Sequence, residues 1–306
     1  MVKGAEGKSA RGAVAAIGNF DGVHLGHRML LAETAAFARE QGAPFAAVVF
    51  DPHPRRFFRP GDPPFLITTP EIRDALLRQE GVEDIMTLRF DAALAGLAPE
   101  DFVLGVLARD FGLSGVVVGE DFRFGKGRAG DADALSRFGK KAGLAVRLVA
   151  PKWEEGHTEK IGSSGVRAAI RDGDMKAAAR VLGRPWTVRG RVEEGQKLGR
   201  TLGFPTANLT VGPLIEPRRG VYAARATLRG KAYDGVANFG RRPTVGEGAP
   251  LLEIYLFDFD GEFYGEIIDI ALIDFIREER KFDTLDALKA QIAADCETAR
   301  AMLSKA

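Results

Sequence analysis

Cysteine is almost absent from this chain of 306 residues, which contains a single one, Cys296. One cysteine cannot form a disulfide within the chain, and such usage is typical of a reducing cytoplasm. Long apolar runs are also missing: none reaches transmembrane length, and the first eleven residues hold no apolar signal core. We therefore expect a cytoplasmic protein without a membrane partner.

Neither sign of charge is in excess, since 43 Lys and Arg oppose 42 Asp and Glu, for a formal charge of +1. A dedicated nucleic-acid binder is normally basic, so we expect small-molecule partners and no nucleic acid. The hydrophobic fraction of 45% and the charged fraction of 28% are typical of a soluble globular protein. The length suits one large domain or two ordinary ones, and we expect a monomer or a weak homo-oligomer.

Strands alternate with helices as far as about Gly183, and this alternation predicts an α/β fold with a parallel sheet. Beyond Gly183 short β-rich runs lie between turns, which predicts an antiparallel barrel or sandwich. We therefore predict two domains, residues 1–183 and 184–306. Predicted strands cover 13–17, 45–50, 85–88, 115–118 and 144–149, then 186–192, 221–228, 232–238, 252–257 and 267–273.

One helix is predicted to close the chain, with an apolar stripe on one face. The stripe comprises Leu285, Leu288, Ile292, Cys296, Ala299 and Leu303. We interpret Cys296 as a core residue of this stripe and not as a nucleophile.

The segment from Gly18 to His27 links the first predicted strand to a helix predicted over 28–41. Its glycines let backbone approach a ligand closely, and the first N–H groups of a helix attract an anion. Two of the four histidines, His24 and His27, lie here three residues apart and share a face if the helix has begun. Two imidazoles at a helix N-terminus suit a phosphate that gains charge during reaction. The alternative is a glycine turn followed by two solvated histidines.

Three more loops follow predicted strands, where α/β folds gather ligands. Residues 50–56 carry two prolines. Residues 119–128 mix aromatic, cationic and glycine residues, which is typical either of a site for an aromatic ring and a phosphate or of a solvated loop. In residues 160–167, Ser163 or Ser164 can cap the next helix, with Arg167 in its first turns. Capping and phosphate binding use the same geometry.

The second half has its own cluster in residues 195–208, where glycines can form a backbone nest for phosphates. Thr206 and Asn208 face one side if extended, and with substrate phosphates they suit Mg²⁺, which keeps few protein ligands. Glu253 is the one charge in an apolar strand, which suggests either a general base or an exposed edge position.

Together these segments resemble the bifunctional riboflavin kinase/FAD synthetase family of bacteria, over nearly the whole chain. The first half resembles the FMN adenylyltransferase branch of the HxGH nucleotidyltransferases, and the second half a riboflavin kinase barrel. The matching segments are 18–27, 50–54, 118–125, 199–208, 242–244, Glu253 and 264–265. One segment departs from the family: its Ile-Ser-Ser-Thr-Arg-Ile-Arg is here Ile-Gly-Ser-Ser-Gly-Val-Arg over 161–167, which lacks one hydroxyl and one arginine.

The resemblance implies phosphorylation of riboflavin to FMN and adenylylation of FMN to FAD, with ATP and Mg²⁺. It implies that Glu253 is the kinase base, that His24 and His27 act in adenylyl transfer, and that Thr206 and Asn208 hold Mg²⁺. The implied ATP and phosphate contacts are Gly18, Phe20, Asp21, Gly26, Ser163, Ser164, Arg167, Gly195, Gly199 and Gly203. The implied flavin contacts are Asp51, Pro52, His53, Phe122, Phe124 and Arg277.

Two alternatives stay open. One is an adenylyltransferase of the same superfamily that acts on another phosphate substrate. The other is a non-catalytic flavin-binding protein that keeps the fold without turnover. A class I aminoacyl-tRNA synthetase also has an HxGH-like element, but this chain lacks the Lys-Met-Ser-Lys-Ser loop and the basic surface.

Overall fold

The computed structural model describes residues 11–150, 162–193, 204, 206–241 and 250–305. The chain divides into two compact units. The first unit comprises Met1–Asp62 and Pro70–Gly162, and the second comprises Pro63–Thr69 and Ser163–Ala306.

The first unit is built on a five-stranded parallel sheet in the order β3-β2-β1-β4-β5. Its strands are β1 (Val14–Ile17), β2 (Phe45–Asp51), β3 (Asp84–Arg89), β4 (Gly115–Gly119) and β5 (Ala145–Val149). Helices α1 (Leu25–Gln41), α2 (Pro54–Phe58), α3 (Pro70–Gln79), α4 (Ala92–Ala95), α5 (Pro99–Asp101) and α6 (Ala132–Ala142) surround it, with a 3₁₀ turn at Lys126–Arg128. The parallel sheet and the strands predicted from the sequence are confirmed.

The helix predicted from Pro99 to Phe111 is α-helical only over α5 and continues as a π-helix, Phe102–Asp110. Helix α1 begins at Leu25, three residues earlier than expected, because His24 caps it. Apolar periodicity in a sequence does not distinguish an α-helix from a π-helix, and it does not identify a histidine as a helix cap.

Both faces of the parallel sheet are covered, as parallel sheets require. Val14 and Ala16 on β1 pack in a cluster with residues of α1, whereas Ala15 and Ile17 pack with the π-helix and α6. Strand order reverses at β1, because β2 lies on one side of it and β4 on the other. In such sheets this switch point is where ligands bind, at the carboxyl ends of the strands.

The second unit begins with helices α7 (Ser163–Asp172) and α8 (Met175–Leu182). Its strands are β6 (Trp186–Arg191), β7 (Thr206–Thr210), β8 (Gly220–Leu228), β9 (Lys231–Arg241), β10 (Pro250–Leu256) and β11 (Ile267–Arg277). They form an antiparallel sheet in the order β6-β11-β8-β9-β10-β7. The Glu193 N–H, just past β6, donates to the Asn208 carbonyl of β7 at 2.8 Å, so the sheet closes on itself as a barrel.

Strand β8 shows the two faces of this barrel. Tyr222 and Ala224 belong to the interior core, whereas Val221 and Ala223 lie outside, in a cluster with the final helix α9 (Leu285–Leu303). The predicted stripe of α9 is wrong at its first residue, because Leu285 is 59% exposed, whereas Leu288 and Ile292 are partly buried. The last two turns do pack, through Ala299 and Leu303.

Residues 63–69 belong to the second unit although their chain neighbours belong to the first. Leu66 pairs with Leu214 as an isolated parallel bridge, and the Trp186 indole N–H donates to the Ile67 carbonyl at 2.9 Å. Helices α7 and α8 also belong to the second unit, so the main segment of this unit begins at Ser163 and not near Gly183. The boundary near Gly183 stays a prediction about independent folding.

Candidate active sites

The turn between β1 and α1 lies at the switch point of the parallel sheet. Three of its residues have a left-handed backbone: Phe20 at φ 51°, Gly22 at φ 86° and Val23 at φ 38°. Only glycine adopts such values freely, and a β-branched residue rarely does. Concentrated strain of this kind is found at ligand sites, where the surrounding fold holds it.

His24 and His27 come together at the end of this turn. His24 caps α1 and is 5% exposed, and its Nδ1 accepts the His27 backbone N–H at 3.3 Å. The two rings stack with centroids 3.7 Å apart and planes 18° from parallel. Because His24 Nδ1 accepts, the proton of the neutral ring lies on Nε2, which is then a donor. Paired imidazoles beside the positive end of a helix can stabilise an anion.

Four other residues of the turn are predicted to contact ATP. Phe20 and Asp21 are buried, with exposures of 0% and 3%. The Phe20 ring lies 5.2 Å from the His27 ring, so its side chain supports the histidine from within the core. Gly18 and Gly26 are partly exposed, and they present backbone at the surface of the turn.

The second predicted ligand loop follows β2. Asp51 and Pro52 are exposed at its start. His53 caps the short helix α2, and its Nδ1 accepts the Arg55 backbone N–H at 3.1 Å. Arg55 in turn pairs with Asp62 at 2.7 Å, so the loop is held by its own polar contacts.

An aromatic cluster borders this loop, and sequence reasoning missed it. Phe50, Phe57, Phe58 and Phe90 contact one another edge to face, with centroids 5.1–5.9 Å apart. Phe58 is 64% exposed, which is unusual for a ring of this size. In the sequence, the adjacent pair Phe57-Phe58 next to the predicted flavin contacts is the feature that indicates this aromatic cluster.

The loop after β4 carries the two predicted aromatic contacts. Phe122 and Phe124 stack with centroids 5.5 Å apart, and Phe124 also meets Phe102 at 5.7 Å. Phe124 is 6% exposed and belongs to the core, whereas Phe122 is partly exposed. Phe122 is therefore the ring of this loop that a ligand can contact, and Phe124 packs against it from the core.

Three of the implied phosphate contacts, Ser163, Ser164 and Arg167, lie in the first turns of α7. Ser163 is the first helical residue, and Ser164 is exposed. Arg167 donates through Nε to the Phe65 carbonyl at 2.8 Å and lies 5.6 Å from the Phe65 ring. These three residues belong to the second unit, whereas the two histidines belong to the first.

The second unit brings Glu253 beside Asn208. Strand β10 pairs with β7 so that Glu253 is opposite Asn208 and Tyr255 is opposite Thr206. Directly paired residues point to the same face of a sheet, so Glu253, Asn208 and Thr206 share one face. Glu253 is partly buried on a strand flanked by β9 and β7, so it does not occupy an edge position.

Thr206 and Asn208 offer a side-chain hydroxyl and an amide oxygen on that face. Asn208 is 4% exposed and Thr206 is partly buried. Oxygen ligands in small number fit Mg²⁺, which takes its other ligands from phosphates and water. Among the described residues no three His, Cys, Asp or Glu side chains form a metal-binding group.

Arg277, predicted to contact flavin, is tied to the final helix. Its Nε and Nη2 donate to the Asp295 carboxylate at 2.9 and 2.7 Å, and Gln291 donates to the same carboxylate at 2.7 Å. Asp295 is 4% exposed, so this is a buried, bidentate pair. One residue on, burial raises the pKa of the Cys296 thiol to about 11, which agrees with a structural role.

The predicted phosphate-binding glycines of the second unit, Gly195, Gly199 and Gly203, lie outside the described residues. None of the helices formed by the described residues has the length and apolar character that crossing a bilayer requires.

Comparison with known proteins identifies two domain families in this chain. The FAD synthetase family model matches residues 6–165, and the riboflavin kinase family model matches residues 182–303. The bifunctional riboflavin kinase/FMN adenylyltransferase of Pseudomonas fluorescens is 41% identical, covering 95% of this chain and 93% of the relative. That of Bacillus subtilis is 36% identical, covering 96% and 92%. A crystal structure described as a macrolide-efflux protein from Streptococcus pneumoniae has a TM-score of 0.87 and 32% identity, covering 96% of each chain.

The chain belongs to the bifunctional riboflavin kinase/FMN adenylyltransferase family. It carries an FAD synthetase domain and a riboflavin kinase domain, and it is a transferase of flavin cofactor biosynthesis. Its substrates are riboflavin, FMN and ATP.

Proposed function

We propose that the two units catalyse consecutive steps, each with its own site. The second unit transfers the γ-phosphoryl group of ATP to the terminal hydroxyl of riboflavin, giving FMN and ADP. The first unit joins FMN to the AMP part of ATP, giving FAD and pyrophosphate. The observation that carries this proposal is that each compact unit holds one set of polar side chains suited to its own step, Glu253 with Asn208 in one and His24 with His27 in the other.

In the kinase step Glu253 accepts the proton of the riboflavin hydroxyl as the oxygen attacks the γ-phosphorus. The substrate is a neutral alcohol, so a carboxylate within reach matters. Thr206 and Asn208 hold the nucleotide's Mg²⁺, which supplies charge neutralisation on the phosphates. The protein otherwise positions the two substrates, since phosphoryl transfer asks little covalent chemistry of it.

In the adenylyl step the FMN phosphate is already an anionic nucleophile. One of its oxygens attacks the α-phosphorus of ATP, and the bond to the β-phosphate breaks to release pyrophosphate. The donor Nε2 of His24 and the His27 ring stabilise charge on the α-phosphate, beside the N-terminus of α1. The family resemblance also implies that Ser163, Ser164 and Arg167 bind the departing pyrophosphate, a role that rests on the sequence alone.

The flavin ring of FMN is proposed to lie against aromatic surface of the first unit. Phe58 is a largely exposed ring at the end of α2, which follows β2, and Phe122 is a partly exposed ring in the loop after β4. Strands β2 and β4 flank β1 on its two sides. Stacked and edge-to-face contacts with such rings favour a flat aromatic ligand. His53, with Asp51 and Pro52, lies where β2 joins α2.

The proposal is tested by chromatography of the products formed from riboflavin, ATP and Mg²⁺. We expect FMN to appear first and FAD to follow. FAD should also form from supplied FMN, and neither phosphopantetheine nor nicotinate mononucleotide should be adenylylated. Turnover of those two substrates, or no turnover at all, would contradict the proposal and favour another adenylyltransferase or a binding protein.

We also propose that the protein works in the cytoplasm as a monomer or weak homo-oligomer, without nucleic acid. The single cysteine and the balanced charge support this proposal. Light scattering over a range of concentrations measures the oligomeric state.

A further inference from the structure

Arg73 is a buried cation at the ligand-binding edge of the parallel sheet. It is the fourth residue of α3 and is 6% exposed. Its Nη1 donates to the carbonyl of Phe50, near the end of β2, at 3.3 Å. The guanidinium therefore lies at the carboxyl ends of the strands, the same edge at which the turn between β1 and α1 begins.

The charge of Arg73 is only partly satisfied within the protein. Its Nε donates to Asp74 Oδ1 at 2.8 Å, but the Asp74 side chain is 35% exposed. A guanidinium has five N–H donors, and the contacts with Asp74 and Phe50 use two of them. Within the described ranges of the chain, no residue accepts a hydrogen bond from Nη2. Because buried charges normally have their donors matched, the remaining donors of Arg73 suit an anionic ligand.

Arg73 lies on the face of α3 that packs toward the turn between β1 and α1. Leu77 is one helical turn further along this face, and it belongs to the same core cluster as Phe20 and Val23 of that turn. Helical side chains lean toward the N-terminus of their helix, so Arg73 extends toward the start of α3. That end of a helix carries partial positive charge, which disfavours a cation unless an anion balances it.

The proposed adenylyl step includes an anion that has no cationic partner so far. The phosphate of FMN carries nearly two negative charges at neutral pH, and it must approach the α-phosphate of ATP, which is also an anion. A cation at the nucleophile reduces the repulsion between the two phosphates. Arginine suits this position, because its planar fork of donors matches the oxygens of a phosphate.

The position of Arg73 fits that phosphate. The proposed flavin contacts follow directly after Phe50, whose carbonyl Arg73 binds. On the other side, its face of α3 packs toward the turn that carries His24 and His27, the proposed contacts of the α-phosphate. The phosphate of FMN joins these two regions, because it is linked to the flavin and attacks the α-phosphorus.

We propose that Arg73 binds the phosphate of FMN and holds it for attack on the α-phosphorus of ATP. One phosphate oxygen forms the new bond to that phosphorus, and the bond to the β-phosphate breaks, so that pyrophosphate leaves with the electron pair. Arg73 keeps its proton throughout. The inference rests on the proposed adenylyl step, and it assigns Arg73 to the nucleophile, distinct from the histidines at the α-phosphate.

The test measures FAD formation from FMN and ATP by the full chain with Mg²⁺, with lumiflavin as a competing ligand. Lumiflavin has the isoalloxazine ring but neither the ribityl chain nor the phosphate. Hydrogen bonds to charged groups contribute enough that Arg73→Gln should lower kcat/KM for FMN about 10- to 100-fold. KM for ATP and the inhibition constant of lumiflavin should stay within about twofold, because neither depends on the FMN phosphate.

Two further variants sharpen the test. Arg73→Lys keeps a cation but loses the forked donors, so kcat/KM for FMN should fall about fivefold, again with lumiflavin inhibition unchanged. This variant carries the test if thermal unfolding shows that Arg73→Gln does not fold. Arg78→Gln makes the same exchange at an exposed arginine of α3 and should leave all three constants unchanged.

The opposing results are distinct. An unchanged kcat/KM for FMN in both Arg73 variants would overturn the inference. Equal losses for FMN and lumiflavin would show that Arg73 only supports the chain after β2 through the Phe50 carbonyl, and equal losses for FMN and ATP would place its charge at the nucleotide. If wild type forms no FAD from FMN and ATP, the proposed adenylyl step itself fails, and no variant is needed to observe this.

Discussion

The two units build their sites in opposite ways. In the first unit the reactive side chains are neighbours in sequence, because one turn and one helix start bring His24 onto His27. In the second unit Asn208 of β7 and Glu253 of β10 come from two strands and meet only through antiparallel register. The sequence shows a local site as a single motif, whereas for a register-built site it indicates separate residues, and only the paired strands show that these residues lie side by side.

The difference also predicts how substitutions affect each site. A site on a strained turn depends on a helix cap and on backbone held in left-handed conformations, so changes there act through local geometry. A site on a barrel face rests on paired strands whose backbone is fixed by hydrogen bonds on both sides, so a side chain there can be exchanged with little effect on its neighbours. Substitutions that separate the two activities therefore test the comparison.

The largest effect is expected for Glu253→Gln, which keeps the shape of the side chain and removes its basicity. Loss of a general base lowers the rate by about 10²–10⁴-fold, and the loss should fall on kcat more than on KM. Steady-state kinase assays with riboflavin measure it, while FAD formation from supplied FMN should be unchanged. Full kinase turnover in this variant would remove Glu253 as the base, and an equal loss of both activities would indicate misfolding.

The next effect is expected for the histidine pair. His24→Ala and His27→Ala should each lower FAD formation by about 10²–10³-fold, because each removes a preorganised donor from the transition state, and should leave FMN formation intact. His24→Asn is the matched variant: asparagine is a good helix cap, but it lacks the donor Nε2 of the ring.

If His24→Asn restores helix stability, measured by thermal unfolding, and remains inactive in FAD synthesis, then the ring itself is required. Near-normal FAD synthesis in the alanine variants would contradict the role given to both histidines.

Much of the fold could be predicted from the sequence, for identifiable reasons. The parallel strands are apolar runs without polar interruption, since both faces of that sheet are buried. Strand β7, by contrast, was not predicted, because Thr206–Thr210 follows a glycine-rich segment that indicates a phosphate loop. Helix α2 was missed for a similar reason, since Pro54 at its first turn was interpreted as a loop residue.

The features that could not be predicted from the sequence depend on contacts between residues that are distant along the chain. The pairing of Leu66 with Leu214 places residues 63–69 in the second unit, and no local pattern around Leu66 announces it. The outward position of Leu285 is a similar case, because apolar spacing marks one face of a helix but not how far its packing partner extends. At the kinase site the sequence indicates Glu253 and Asn208, but only the pairing of β10 with β7 shows that they are directly opposite each other.

The smallest effect is expected at the aromatic cluster. Phe58→Ala removes a ring that is 64% exposed, so little core packing is lost and the fold should persist. If FMN lies against this ring, the loss of one aromatic contact should raise KM for FMN in FAD synthesis about tenfold, with a smaller change in kcat. The kinase KM for riboflavin should not move, because that step belongs to the second unit. Leu285→Ala provides the control, since Leu285 is a similarly exposed apolar residue of the second unit and should leave KM for FMN unchanged. An unaltered KM in Phe58→Ala would exclude the cluster as the flavin surface and leave Phe122 as the aromatic contact of the first unit.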